Sequence, residues 1–255
     1  MLFAVDVGNT NIVLGVLDGE KLVCSGRLST NVYETEIEYS MKIKTFLDIN
    51  NVSCIDGAII SSVVPALVTT LKNSVKVVCG VDSLIVGPGV KTGLNIKIDN
   101  PAELGADIVV GDVAVVNKYP LPAIVFDFGT ATTASVIDKS GAHIGGAILC
   151  GVRTALNALS KGTAQLPQID LSAPSKLIGT NTTDCMKSGS VVGTVAMLEG
   201  LVARFEKELG EKATVVITGG IGEAISKVTD IDVIVDDDLL IDGLRIIYEK
   251  NVDRG

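Results

Sequence analysis

The chain has 255 residues, of which 47% are hydrophobic and 20% are charged, and its formal net charge is -9 at pH 7. So acidic a chain does not offer the clustered basic surface that nucleic acid or an anionic membrane requires, and no apolar run approaches the roughly 20 residues that cross a bilayer. Its five cysteines are scattered and never form a CxxC pair, which indicates reduced thiols and no zinc site. We therefore expect a cytoplasmic protein with no nucleic-acid and no membrane partner.

The first hundred residues predict three short strands followed by alternating helices and strands. The predicted strands are Leu2–Asp6, Ile12–Leu17, Leu22–Leu28, Gly57–Ser61 and Ser83–Val86, and the predicted helices lie near Glu36–Leu47 and after Pro65. Further on, Asn100, Pro101 and Glu103 form a helix-start pattern of N-cap, proline at the first helical position and a glutamate reaching back. This pattern predicts one helix that runs to about Asn117.

The opening pattern then repeats. Three more strands are predicted at Ala123–Asp127, Ala134–Asp138 and Ala142–Ile148. Helices at Val152–Leu159 and Thr183–Leu209 follow. The remaining predicted elements are a strand at Thr214–Thr218, a helix from Gly222, a strand at Asp232–Val235 and a last helix at Leu239–Lys250. The stretches AVDVGNTNIVLGVLDGEKL and VFDFGTATTASVIDKSGAHI align, which indicates an internal duplication with a period of about 120 residues. We expect two domains, 1–118 and 119–255.

A turn rich in hydrogen-bond donors follows the first predicted strand, in the segment DVGNTN. Gly8 lets the backbone approach an oxyanion closely, and Thr10 and the exposed backbone amides can donate hydrogen bonds to it. Asp6 can hold Mg²⁺ directly or through water. Taken alone, such a cluster is more typical of an ordinary hairpin turn.

The second copy, DFGTATT from Asp127, changes that interpretation, because two such hairpins can hold the phosphates of one nucleotide. A third element, Thr218-Gly219-Gly220, follows a Val-rich strand and precedes a helix, which offers a flat glycine surface to a nucleoside. The spacing does not fit the dinucleotide GxGxxG pattern, and a Walker GxxxxGK[ST] motif is absent. The order of the three motifs predicts an α/β phosphotransferase for a small metabolite, built as two actin-like (ribonuclease H-like) halves with mixed sheets.

The sequence resembles the type III pantothenate kinases, which belong to the superfamily of acetate and sugar kinases, heat-shock chaperones and actin. The resemblance runs essentially from end to end. Its matching stretches are DVGNTN at Asp6, SSVVP at Ser61, DNPAELGAD at Asp99, DFGTATT at Asp127, GGAI at Gly145, GTAQLP at Gly162, NTTDCMKSG at Asn181, TGG at Thr218 and GLRIIYEKN at Gly243.

The resemblance implies transfer of phosphate from ATP to a primary hydroxyl of pantothenate, the first step of coenzyme A biosynthesis, with Mg²⁺ and a monovalent cation, K⁺ or NH₄⁺. It also implies a homodimer with the acceptor pocket at the subunit contact. By this resemblance Asp107 is the proton acceptor, a role that a carboxylate beside an attacking hydroxyl can perform, and Asp127 is the ligand of the monovalent cation. Together with the motifs, the resemblance predicts contacts to ATP at Asp6, Val7, Gly8, Asn9, Thr10, Asn11, Ile12, Val13, Gly129, Thr130, Thr218, Gly219 and Gly220. It predicts contacts to the acceptor at Ile98, Gly105, Ala106, Asp107, Ile108 and Thr182.

Three positions depart from the family pattern. Ile108 stands where the family has an arginine that holds the acceptor's carboxylate, Ile98 where it commonly has a tyrosine, and Lys187 where a glutamine is usual. An apolar side chain cannot replace a bidentate guanidinium. Either another cation, Arg153 or Lys187, reaches the carboxylate, or the acceptor is not pantothenate.

Three hypotheses therefore stay open: a pantothenate kinase, a kinase of the same fold with a different acceptor, and a non-catalytic nucleotide-binding paralogue that acts as a regulator. The presence of Asp6, Asp107, Asp127 and Thr130 argues against the regulator, because a chain released from catalysis has no physical need for all four. The single histidine, His143, lies on a predicted strand and is interpreted as structural.

Overall fold

The computed structural model describes residues 1–252, and the chain forms two compact units. The first unit contains Met1–Leu94, Asn100–Asn117 and residues 238–252, and the second contains Asn95–Asp99 and Lys118–Asp237. The last helix therefore packs within the first unit, whereas the sequence-based division assigned residues 119–255 to the second domain.

In chain order the elements are β1 (Leu2–Val7), β2 (Asn11–Asp18), β3 (Lys21–Ser29), α1 (Glu36–Ile49), β4 (Gly57–Ser62), α2 (Pro65–Cys79), β5 (Ser83–Ile85), β6 (Asn95–Ile96), α3 (Ala106–Lys118), β7 (Ala123–Phe128), β8 (Ala131–Ile137), β9 (Ala142–Cys150), α4 (Val152–Gly162), α5 (Thr182–Lys187), α6 (Gly193–Leu209), β10 (Thr214–Gly219), α7 (Gly222–Ser226), β11 (Ile234–Val235) and α8 (Leu239–Asn251). Most of these bounds lie within a few residues of the predicted ones. The two-residue strand β6 was not predicted, because a pair of residues carries no periodicity.

The sheet of the first unit has the strand order β3-β2-β1-β4-β5, in which β1 is antiparallel to β2 and parallel to β4. Apolar side chains of α1 and α2, such as Ile43 and Leu71, form a buried cluster with one face of this sheet. The opposite face packs against α8. Tyr248 and Ile241 of this helix lie so close to Gly57 and Gly15 that a side chain at either glycine would collide with them. Helices thus cover both faces of the first sheet, as in other α/β folds.

The sheet of the second unit has the order β11-β10-β7-β8-β9-β6, with β7 antiparallel to β8 and parallel to β10. Read from β9 to β11, it repeats the arrangement of β3 to β5 in the first sheet. Its core joins Ile124 and Phe126 of β7 to Val195, Leu198 and Val202 of α6. Two mixed sheets of matching topology confirm the predicted fold class of two actin-like halves.

The helix predicted to start after Asn100 begins later, so this prediction was wrong in its first turn. Pro101–Glu103 form a short 3₁₀ turn, Leu104 is extended, and α3 begins at Ala106. The Asn100 side chain does accept a hydrogen bond from the Ala102 amide, at 3.3 Å, but Glu103 accepts from the Asn100 side chain instead of its backbone. The capping pattern therefore closes a separate turn, and α3 starts just after Gly105.

The long helix predicted near Thr183–Leu209 is confirmed, with one local change. It runs as α5, a π-helical turn at Ser188–Val192 and α6. The stretch Thr182–Leu209 is long and apolar enough to satisfy the criteria for a membrane span. This is weak evidence for a membrane location, since core helices of water-soluble proteins satisfy the same criteria and the window is partly buried in this protein.

Candidate active site

The first hairpin joins β1 to β2 and is braced by the residue that follows β3. The Gly8 amide donates to the Asn11 carbonyl at 3.0 Å and closes the turn. Thr30 holds the turn from the side, since its hydroxyl donates to the Gly8 carbonyl at 2.7 Å and its amide to the Thr10 carbonyl at 2.9 Å. Asn9, Thr10 and Asn11 are exposed, so a loop with a fixed backbone presents polar side chains to solvent.

Asp6 is the second-last residue of β1, just before this hairpin, and only 6% of its surface is exposed. It lies in register with Ser61 on the parallel strand β4. Residues in register on neighbouring strands point to the same face of a sheet. Both side chains therefore lie on the face that carries Gly57 and packs against α8, at the carboxyl ends of two parallel strands, where α/β folds bind ligands.

Asp107 lies in the first turn of α3 and is half-buried. Burial raises the pKa of its carboxyl above the ordinary value, while hydrogen bonds from the Ile108 amide and its own amide oppose that shift. The Ile108 amide reaches Asp107 Oδ1 at 2.8 Å. Helix α3 packs closely on α8, because a side chain at Gly243 of α8 would collide with Val110 of α3. Since α8 covers the sheet face to which Asp6 points, α3 lies on the same side of the first sheet as Asp6.

The second hairpin joins β7 to β8 and is braced by the start of α4. The Thr154 hydroxyl donates to the Thr130 carbonyl at 2.8 Å. A side chain at Gly151 would lie 2.4 Å from the Gly129 carbonyl oxygen, so only glycine lets the helix start against the loop. Asp127 is half-buried, whereas Gly129 and Thr130 are exposed.

The Thr-Gly-Gly element lies directly beside this hairpin. Thr218 on β10 is in register with Asp127 on β7. Gly219 has a φ of +92°, and a side chain there would lie 2.7 Å from the Phe128 carbonyl oxygen and 2.8 Å from Asp127 Oδ1. The structure thus brings two of the predicted nucleotide motifs together within the second unit, with Gly220 exposed next to them.

The predicted acceptor residues are distributed over both units. Gly105 directly precedes α3, and Ala106, Asp107 and Ile108 are the first three residues of that helix, in the first unit. Ile98, half-buried, and Thr182, exposed at the first residue of α5, belong to the second. Asn181 caps α5 by accepting a hydrogen bond from the Asp184 amide at 2.9 Å, which fixes the backbone at Thr182.

The two cations proposed to replace the missing arginine differ in availability. Lys187 is only 18% exposed and is bound to Asp170 at 2.9 Å and to the Ser172 hydroxyl at 2.8 Å. Hydrogen bonds from Ser172 and Lys187 lower the pKa of Asp170 to about 2. Asp170 is therefore ionised at neutral pH, and its charge is paired with that of Lys187. Arg153, in the first turn of α4, is exposed, and no carboxylate pairs with it among residues 1–252. Arg153 is therefore the better placed of the two to bind an anion.

The side-chain oxygen atoms beside the first hairpin are suitable ligands for a hard cation such as Mg²⁺. Within the described residues no group of three or more His, Cys, Asp or Glu side chains could hold a metal by itself. Magnesium needs no such cage in phosphotransferases, since it keeps several waters and is held by one or two carboxylates together with substrate phosphates. The Asp6 carboxylate, and the buried Ser61 hydroxyl that has no hydrogen-bond partner in the described part of the chain, fit that mode of binding.

His143 lies on β9 at the end far from the hairpin, 3% exposed, where it pairs in register with Ile137. Sequence reasoning missed the three residues that complete the hairpins: Thr30, Thr154 and the hydroxyl of Ser61. Thr30 and Thr154 each bond to a loop more than 20 residues away in the chain, and Ser61 is in register with a carboxylate 55 residues away, so no local spacing could reveal them. Ser61 did lie in a stretch, SSVVP, that carried the family resemblance.

A duplicated α/β sheet with a carboxylate and a glycine hairpin at the carboxyl ends of equivalent strands defines an actin-like phosphotransferase. The family model of the type III pantothenate kinases matches residues 2–204. The chain belongs to the type III pantothenate kinase family.

Curated relatives agree with this assignment, and solved structures share the fold. Type III pantothenate kinases from an Exiguobacterium species and a Geobacillus species are 45% and 44% identical to the chain, covering 98% and 100% of it and 99% of each relative. Among solved structures, a Campylobacter jejuni protein described as a Baf family transcriptional activator has a TM-score of 0.62 at 20% identity, with 98% of both chains covered. An Arthrobacter polyphosphate/ATP-glucomannokinase has a TM-score of 0.50 at 13% identity, covering 97% of this chain and 98% of its own. These two structures support the fold alone.

Proposed function

We propose that this kinase transfers the γ-phosphate of ATP to the primary hydroxyl of pantothenate. The observation that carries the proposal is the repeated site: in each unit an Asp-x-Gly hairpin leaves the carboxyl end of a strand that has a parallel neighbour. Curated relatives named type III pantothenate kinase match the chain over nearly its whole length, which supports pantothenate as the acceptor.

In the proposed mechanism each hairpin is a phosphate-binding loop. Backbone amides of the first hairpin and the Thr10 and Thr130 hydroxyls donate hydrogen bonds to phosphate oxygens. Gly219 and Gly220 bind the nucleoside, since the absence of side chains leaves a flat surface. The remaining predicted contacts, from Val7 to Val13, support the first loop.

Asp107 is proposed to accept the proton of the acceptor hydroxyl. The hydroxyl oxygen forms a bond to the γ-phosphorus while the bond from that phosphorus to the bridging oxygen of ADP breaks, and the proton passes to the carboxylate. Burial raises the pKa of this carboxyl, which makes it a better proton acceptor than a fully solvated aspartate.

Two cations complete the proposal. Asp6, with Ser61 beside it, would hold Mg²⁺, which neutralises phosphate charge when bound. Asp127 would hold K⁺ or NH₄⁺ near the second hairpin. We further propose a cytoplasmic homodimer, as the family resemblance implies.

A kinase of the same fold with a different acceptor is a second candidate, which the apolar side chains of Ile98 and Ile108 favour. The test is phosphate transfer from ATP, with Mg²⁺ and K⁺, to pantothenate and to a matched analogue whose carboxylate is replaced by a hydroxymethyl group. We expect pantothenate to give the higher kcat/KM. A preference for the neutral analogue, or for another small alcohol, would favour the second candidate, and nucleotide binding without any transfer would favour a regulator.

A further inference from the structure

Three buried hydroxyls have no hydrogen-bond partner in the described part of the chain: those of Ser61, Ser83 and Thr132. A buried polar atom without a partner is unfavourable, because it has lost its hydrogen bonds to water and gained none. Such an atom at a binding site indicates a ligand that would complete its hydrogen bonding. Of the three, Ser61 lies beside a buried carboxylate.

Ser61 is completely buried and in register with Asp6, which is 6% exposed. Val5 and Val7 of β1 and Ile60 of β4 point into the cluster under α1 and α2. Because side chains alternate along a strand, Asp6 and Ser61 point together to the other face. Hydroxyl and carboxylate therefore lie side by side just below the first hairpin.

The neighbouring Ser62 shows that the turn after β4 does not need the Ser61 hydroxyl. Ser62 Oγ accepts from the Val64 amide at 3.0 Å and donates to the Val64 carbonyl at 3.1 Å, and this closes the turn into α2. The second unit places another hydroxyl residue, Thr218, in the same register relation to Asp127. A hydroxyl beside each hairpin aspartate is thus a feature of both halves.

We propose that Ser61 is a magnesium-site residue, whose hydroxyl accepts a hydrogen bond from a water of the Mg²⁺ ion that Asp6 holds in the nucleotide complex. This inference rests on the proposed function, which places Mg²⁺-ATP at the first hairpin. Magnesium keeps most of its waters in proteins, so the groups around its hydration shell determine affinity together with the direct ligand.

Ser83 supplies a matched control within the same sheet. Its hydroxyl is also buried and without a partner in the described residues, but it is in register with Ala58. Ala58 precedes Ser61 by three residues on β4, which is about 10 Å at roughly 3.3 Å per residue. Ser83 therefore lies nearer the amino end of β4 than Ser61 does. Ser61→Ala on β4 and Ser83→Ala on the neighbouring strand β5 are therefore the same chemical change at positions near opposite ends of β4.

The experiment measures binding of a non-hydrolysable ATP analogue by calorimetry across a series of Mg²⁺ concentrations, and the melting temperature without ligand, for wild type and both variants. We expect Ser61→Ala to need about tenfold more Mg²⁺ for half-maximal binding, as loss of a hydrogen bond to a charged centre implies. Ser83→Ala should match the wild type. Without ligand, both variants should melt at or above the wild-type temperature, since each removes an unsatisfied buried hydroxyl.

Each other outcome overturns the inference. An unchanged Mg²⁺ requirement in Ser61→Ala would remove the metal role. Weaker binding that persists with EDTA would assign the hydroxyl to a phosphate, and a lower melting temperature in Ser61→Ala alone would assign it to a structural water. The measurement contains no acceptor, so a failure of pantothenate phosphorylation would leave it standing, whereas wild type that binds no Mg²⁺-nucleotide would overturn both proposals.

Discussion

The two hairpins have the same backbone plan but different supports. In the first unit Thr30, which follows the third strand, braces the loop, whereas in the second unit the brace is Thr154 on a helix, with Gly151 closing the contact. Beside the aspartate, the first unit has Ser61 and then Ser62, and the second has Thr218 and then Gly219. The duplication has thus kept the strand register and the carboxylate while the residues around them diverged. We propose that the first hairpin serves Mg²⁺, whereas the second serves the monovalent cation and lies beside the glycines proposed to bind the nucleoside.

The largest expected effect tests this division of roles. Asp6→Asn should lower kcat/KM for ATP by about 10²–10³-fold, the range for loss of a principal charge-stabilising group, and excess Mg²⁺ should recover part of it. Asp127→Asn should lower kcat/KM for ATP by only about tenfold, and K⁺ should no longer stimulate phosphate transfer by this variant. Initial rates across Mg²⁺ and K⁺ series check both variants. Equal losses with the same ion dependence would mean that the hairpins did not diverge.

The second prediction places the chemistry in the first unit. Asp107→Asn should lower turnover by about 10²-fold or more and leave ATP affinity almost unchanged, because it removes a proton acceptor and no nucleotide contact. Wild-type kcat/KM should fall as the pH drops through the raised pKa of Asp107, and the variant should lack that acidic limb. Near-normal turnover of the variant would reduce Asp107 to a helix-start residue.

The third prediction concerns the acceptor side of the first unit. Ile108→Arg should lower the KM for pantothenate by about tenfold or more, since a charge-assisted contact to a carboxylate contributes roughly 1.5–3 kcal/mol. Arg153→Ala is the companion variant in the second unit. If the wild type already binds pantothenate tightly, Ile108→Arg should gain little and Arg153→Ala should raise the KM. No phosphorylation of pantothenate by wild type or Ile108→Arg would exclude this acceptor.

The smallest effect is on stability. Because folding raises the pKa of Asp107, the folded state favours the neutral carboxyl over the charged one. The contribution of Asp107 to the free energy of unfolding is therefore fully present at low pH and is lost as the pH rises through the folded-state pKa. Asp107→Asn should therefore melt about 1–3 °C above the wild type at neutral pH, a shift typical of less than 1 kcal/mol in a protein of this size. Below the ordinary pKa of aspartate the two proteins should melt alike. A variant less stable than wild type at neutral pH would contradict the burial argument.

Sequence reasoning succeeded where the structure is local. The hairpins at Asp6 and Asp127, the duplication and the alternating elements all follow from patterns a few residues long. It failed at α3, because Asn-Pro-x-Glu caps a single 3₁₀ turn as readily as a helix, and only the extended Leu104 separates the two. The register that pairs Ser61 with Asp6 depends on which strands become neighbours, and no spacing in the chain encodes that pairing.

The register relation also determines which changes of chain length each half can tolerate. Ser61 follows Asp6 by 55 residues and Thr218 follows Asp127 by 91, yet both pairs occupy the same position in their sheets. The chain between an aspartate and its partner hydroxyl has therefore varied freely between the two copies without moving the pair. Insertions in the loops of that intervening chain should leave the pair intact, whereas the deletion of one residue inside β4 or β10 would turn the hydroxyl to the opposite face of the sheet.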